Sequence, residues 1–150
     1  MKSIKPVDIA MMLLRFVVGV ILAYAGSQKV FGVLGGAGIQ GTIESFGQMG
    51  IPKAFAFLAM AGELLGGLGL IFGVLTRLAA FGAACTMAVA VYKMATMPGI
   101  WQKVVNGEDG GMNRIGFPLV LFAGAAAVLL LGAGRISLDR LIFRKRKGGS

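Results

Sequence analysis

The chain has 150 residues, 57% of them hydrophobic and 14% charged, with a mean hydropathy of +0.83 and a formal net charge of +9. That apolar share describes a membrane protein rather than a soluble domain, and the absence of period-2 alternation leaves helices, not a barrel, to satisfy the backbone in lipid. With no His and a single cysteine, Cys85, the sequence offers no dithiol pair, no His-ligated haem and no typical zinc site.

Four apolar segments, about 8–31, 54–75, 78–97 and 115–134, approach the ~20 residues that a spanning helix needs, and a basic tail, 135–150, follows. The expected fold is all-α: one domain forming a four-transmembrane-helix bundle, with short outer interfacial helices and a basic cytoplasmic tail. Met1-Lys2-Ser3-Ile4-Lys5 opens like a secretory leader, but the apolar run behind it is too long and lacks a cleavage pattern before Gln28-Lys29. It reads as a retained first helix. Within it Arg15, Gly19, Ala23 and Gly26 share one small-residue stripe. Tyr24, Gln28 and Lys29 follow at near-helical spacing, either as a polar mouth over a ligand site or as an ordinary interfacial belt, and Tyr92 with Lys93 could complete the same mouth.

The link Gly32 to Lys53 carries Ile39, Ile43 and Phe46 at the spacing of a short interfacial helix, ended by Gly50-Ile51-Pro52. The second span holds Glu63, and a charge at the centre of a membrane helix costs roughly 2.5–3.5 kcal/mol even on the lenient insertion scale, so a partner is expected. Gly62, Gly66, Gly69 and Gly73 form a stripe beside it that could face the stripe of the first helix. Counting residues from each end puts Arg15 and Glu63 within ~6 Å in depth, so a buried Arg15–Glu63 salt bridge is expected, as a register device or a functional pair. Thr76-Arg77 makes a tight inner link to the third span, where Cys85 lies. Trp101 in the next link reads as an interfacial anchor, Gly107-Glu108-Asp109-Gly110-Gly111 as a turn, and the nine methionines as adaptable packing. After the fourth span, Ile136 to Phe143 places Leu138, Leu141 and Ile142 on one face, suited to lie along the inner surface.

Charge sorts by side. With the N-terminus inside, Lys2, Lys5, Arg15, Arg77, Arg135, Arg140, Arg144, Lys145, Arg146 and Lys147 fall on the inner side, against Lys29, Lys53, Lys93, Lys103 and Arg114 outside. Both termini are therefore expected in the cytoplasm. Contact of the tail Arg144-Lys145-Arg146-Lys147 with anionic lipid accounts for the basic charge without nucleic acid.

These residues carry a resemblance. Arg15 with Gly19 and then Gly26-Ser27-Gln28-Lys29-Val30-Phe31-Gly32, Ala61-Gly62-Glu63-Leu64-Leu65-Gly66-Gly67, Gly73-Val74-Leu75-Thr76-Arg77-Leu78-Ala79-Ala80, and Gly132-Ala133-Gly134-Arg135-Ile136-Ser137-Leu138-Asp139 together resemble the DoxX family, in order along the chain. The resemblance implies a four-helix bacterial inner-membrane protein related to DoxD-type subunits linked to thiosulfate oxidation and quinone reduction. Two departures weaken any proton chemistry it implies. Many relatives carry a His where this chain has Ala25, and an acidic residue at the start of the last helix, where it has Asn113, Arg114 and Ile115.

The leading functional expectation is a membrane subunit of a redox-linked, quinone-associated system, with a quinone-like or small apolar ligand between the first two spans. Glu63 would accept or orient a proton, Arg15 would hold it ionised, and Tyr24, Gln28 and Lys29 would contact the ligand head. No metal or flavin motif is present, so electrons are expected from a redox-protein partner or a diffusible carrier. The alternatives are a non-catalytic scaffold or assembly protein whose glycine-lined helices receive another membrane protein and, ranked last, a small-solute transporter, for which the usual inverted repeat is not evident; self-association into a homo-oligomer is compatible with each.

Overall fold

A computed structural model describes residues 4–108 and 110–140. Lys2, Asp109, the outermost apolar positions Leu141 and Ile142, and the basic run Arg144 to Lys147 lie outside the described residues. The described residues form six α-helices, α1 Pro6–Phe31, α2 Gly38–Gln48, α3 Lys53–Phe72, α4 Thr76–Ala95, α5 Ile100–Val105 and α6 Met112–Leu131, with a short 3-10 turn at Val33–Gly35 and no strand. Four of them, α1, α3, α4 and α6, are long and apolar enough to cross a membrane. As expected from the sequence, the fold is all-α.

The four long helices form a ring in which α1 packs on α3, α3 on α4, α4 on α6 and α6 back on α1. Leu22, Leu70, Ala83, Leu121, Ala125 and Val128 meet at its centre. Large apolar side chains such as Phe16, Phe55, Leu65, Phe81, Val120 and Leu130 are nevertheless more than half exposed, an arrangement that water would penalise and lipid favours. The lone Cys85 is on this exposed side of α4.

Each long helix begins and ends for local reasons. Pro6 opens α1 where its missing N–H costs nothing, and the Asp8 carboxylate accepts the Lys5 N–H at 2.9 Å. Gly32, at φ 65°, turns the chain out of α1. The α3–α4 turn comprises Gly73 to Leu75, earlier than the Thr76-Arg77 link expected from the sequence. Gly73 (φ 68°) and Leu75 (φ 47°) both adopt left-handed backbone there, and Thr76 already belongs to α4.

Register between α1 and α3 is fixed by backbone contact. A Cβ at Gly19 would lie 2.8 Å from the Gly67 carbonyl oxygen, one at Gly67 would lie 2.8 Å from Ala23 Cα, and one at Gly26 would lie 2.7 Å from Leu64 Cα. The first-helix stripe thus faces α3 as expected, but its glycines meet Gly67 and Leu64, and of the Gly62 stripe only Gly73 faces it, against Arg15. Gly62, Gly66 and Gly69 turn the other way, against Thr86 and Ala79 of α4. The helix between Gly32 and Lys53 also forms, as α2, and Thr42 Oγ1 donates to the Lys29 carbonyl at 3.3 Å to hold it over the end of α1.

Candidate functional site

The antiparallel register decides which charges meet. Gly26 against Leu64 puts Glu63 level with the last turn of α1, whereas Arg15 is about 12 residues, or ~18 Å, further down the same helix. The expected Arg15–Glu63 salt bridge therefore does not form. Depth counting failed because it set both helices flush with the membrane faces. In the structure α3 ends level with the middle of α1, and the first turns of α1 run on past the α3–α4 turn.

Glu63 instead receives Lys29 Nζ in a short salt bridge. Glu63 is 2% exposed. The Lys29 side chain is partly exposed and reaches in from the final turn of α1, where a cation also complements the helix dipole. The sequence reading named both residues and did not pair them.

The pair stands in the wall of a cavity of about 410 Å³. Leu22 and Ala25 of α1 line it, with Met87 and Met94 of α4 and Asn113, Arg114 and Pro118 of α6. It lies among α1, α4 and α6, not between the first two spans, because glycine contacts close the α1–α3 seam. Of the residues at which the resemblance led to a different expectation, Ala25, Asn113 and Arg114 open onto this one cavity and Ile115 does not. Pro118 is a residue that the sequence reading missed. A proline inside a 20-residue helix leaves the carbonyl four positions earlier, that of Arg114, without its usual amide partner at the rim of the cavity.

The remaining residues of the expected polar mouth are elsewhere. Tyr24 is half exposed, and its hydroxyl accepts from Gln28 Nε2 at 3.2 Å, which also reaches the Leu34 carbonyl at 3.2 Å. Neither side chain lines the cavity. Tyr92 is exposed, and Lys93 Nζ donates to the Met49 carbonyl at 2.9 Å, fastening α4 to the end of α2. Trp101 is also exposed, with its indole N–H on the Ala95 carbonyl at 2.9 Å, as suits an interfacial anchor. Among the described residues no group of three or more His, Cys, Asp or Glu side chains is placed to hold a metal ion.

Arg15 belongs to a second constellation at the opposite end. Its Nη1 donates to the Ala133 carbonyl at 2.6 Å and its Nη2 to the Ile136 carbonyl at 2.8 Å, while Nε is buried without an acceptor. A buried donor left unmet costs about 1–3 kcal/mol. Gly73 makes room for this guanidinium, since a Cβ there would lie 2.7 Å from Nη1. Asp139 closes the knot: its carboxylate accepts the Leu75 N–H at 2.6 Å and the Thr76 N–H at 2.8 Å, and its own N–H donates to the Gly73 carbonyl at 2.8 Å. Asp8 adds a further stitch by accepting the Arg135 N–H at 3.3 Å. Three sequence signatures far apart in the chain, around Arg15, Thr76 and Asp139, are therefore parts of one hydrogen-bonded tie.

The fold and these two constellations define a multi-pass helical membrane protein with one charged pair in an apolar cavity and one buried arginine tie. The chain belongs to the DoxX family, whose model matches residues 10–96. It is 28% identical over 146 residues, covering 97% of this chain and 96% of the other, to a Bacillus subtilis (strain 168) protein named "Putative oxidoreductase CatD". No solved structure matches the chain.

Proposed function

We propose that this chain is an integral subunit of a redox-linked membrane system, and that the cavity beside Lys29 and Glu63 receives a quinone-like or similarly small apolar ligand. The observation that carries the reading is the union of the two features: an apolar space of about 410 Å³, within the usual range for small-molecule sites, ending on a salt bridge whose carboxylate is buried and whose ammonium is partly exposed. The oxidoreductase name of the Bacillus relative is consistent with it. The ring body of the ligand packs on Leu22, Met87 and Met94, and its oxygen head lies by Lys29 and Glu63. When bound, such a ligand supplies two-electron, two-proton carbonyl–hydroxyl chemistry, with the electrons coming from a partner protein or a diffusible carrier. The chain's own part is proton handling. Lys29 donates to an oxygen, Glu63 accepts from one, and the salt bridge keeps each within a proton's reach of the other. With Lys29 balanced by Glu63, Arg114 adds positive charge at the rim, which favours an electron-rich head. Arg15, away from the cavity, is assigned to the tie, and Tyr24 and Gln28 to the interface. The bacterial plasma membrane is the setting this implies.

The test is purification with native lipids and mass spectrometry of co-eluting small molecules. A quinone-class molecule is expected with the unaltered chain and is lost from Glu63→Gln and from Ala25→Leu, which narrows the cavity without touching charge. Equal retention by all three sinks the reading.

A second reading, a scaffold for another membrane protein, is favoured by a separate observation. An apolar groove of about 830 Å³ runs along α3 and α4, floored by Gly62, Gly66 and Gly82 and flanked by Leu58, Leu65 and Phe81. A protein complex that survives gentle detergent and tolerates Glu63→Gln would support it.

A further inference from the structure

The cavity beside Lys29 and Glu63 backs onto a second space. A groove of about 570 Å³ runs down the outer side of the α1–α6 seam, with Ile21 of α1 on one bank and Gly116 and Val120 of α6 on the other. Asn113, Phe117 and Leu121, a single row of α6 at spacings of four, line both spaces. We propose, on the reading that the cavity takes the ring of a quinone-like ligand, that this ligand is a membrane-resident molecule with a long apolar tail, and that the tail leaves between α1 and α6 past Phe117 and lies in the groove.

The packing of the seam supports an exit at this level. Lower down α1 and α6 are in contact, since a Cβ at Gly124 would lie 2.8 Å from Val18 Cγ2. About two turns nearer the cavity, a Cβ at Gly116 would meet only Met112 of its own helix, at 3.9 Å. Phe117 and Val120 are more than half exposed, so neither is locked by packing and lipid reaches the groove directly. The larger groove along α3 and α4 shares no lining residue with the cavity. Direction fits as well. The α1–α6 groove follows α6 from Met112 to Leu121, about 14 Å of helix and about half of a ~30 Å hydrocarbon core. It starts in the first turn of α6 and ends near mid-helix, so it points from the membrane face toward the bilayer centre, as the chain of a lipid-like molecule does. A tailless ring would use the cavity alone, and an ordinary acyl chain would fill the groove without engaging the charged pair.

Two probes separate this proposal from the reading it rests on: a methoxy-substituted benzoquinone with a decyl tail ending in a diazirine, and the same ring without the tail. The full chain in lipid nanodiscs is offered each; retention is read by mass spectrometry and the photolabel by peptide mapping, counting only label that excess unlabelled tailed quinone displaces. Both probes should be retained, and the label should fall on Ile21 and on the stretch of α6 from Gly116 to Leu121. Gly116 lines the groove and not the cavity, so Gly116→Leu should lower retention of the tailed probe about tenfold, the effect of overpacking one contact, and leave the tailless ring as before. Gly82→Leu, which fills the α3–α4 groove instead, should change neither. Failure of the unaltered chain to retain either probe would overturn the cavity reading and the tail path together. Retention of both with the label scattered over the lipid-facing side chains of α3 and α4, or an equal response of the two probes to Gly116→Leu, would overturn the tail path alone.

Discussion

Lys29 and Glu63 differ in what each loses when the other is removed. Lys29→Met strands a carboxylate that is 2% exposed, whereas Glu63→Gln leaves an amide oxygen that still accepts from a partly exposed ammonium. Lys29→Met should therefore cost about 1–3 kcal/mol in detergent thermal unfolding and Glu63→Gln distinctly less. The double change Lys29→Met with Glu63→Leu should recover most of the loss, because replacing both charges leaves nothing stranded; additive losses would contradict the pairing. Glu63 and Lys29 were both legible in the sequence as costly or well-placed groups. Their partnership was not, because residue counting gives depth only if both helices start flush with the membrane. The offset of α3 along α1 is set by Gly19, Gly26 and Gly67, whose contacts depend on the folded register.

The same contacts make the α1–α3 seam the least forgiving element of the fold. Gly26→Ala would drive a methyl group to within 2.7 Å of Leu64 Cα, backbone that cannot step aside, and overpacking of this kind costs about 1–3 kcal/mol. Gly82→Ala in α4 meets nothing within 4 Å and should be neutral or gain up to ~1 kcal/mol from helix propensity. Thermal midpoints of the two variants should move in opposite directions or, at the least, only the first should fall. At the other end, Asp139→Ala removes a cap supplied by a segment more than sixty residues away from the α4 start. It should cost about 1–2 kcal/mol and speed hydrogen exchange at the Leu75 and Thr76 amides, leaving those of α6 unaffected. The four spans were readable from hydropathy alone, and α2 from the spacing of Ile39, Ile43 and Phe46. Which face of α3 met which neighbour was not, since Gly62, Gly66 and Gly67 are equally small and sequence spacing cannot rank them as contacts.

At the scale of the whole molecule, four spans bring the start of α1 and the end of α6 to one side, as the Arg15 bonds to Ala133 and Ile136 show. Which side that is depends on charge. At the end carrying the tie lie Lys5, Arg15, Arg77, Arg135 and Arg140; at the end carrying the cavity lie Lys29, Lys53, Lys93, Lys103 and Arg114. The two sets balance, so the proposed cytoplasmic placement of the termini rests on Lys2 and the run Arg144 to Lys147. A single cysteine at Lys103, in a Cys85→Ser background, should react in intact cells with a membrane-impermeant maleimide. Changing Arg144, Lys145, Arg146 and Lys147 together to Gln should split the population, so that part of the Lys103 probe becomes protected. If labelling stays complete, orientation is set by something other than the basic tail, and the tail is then free to serve only as a lipid contact.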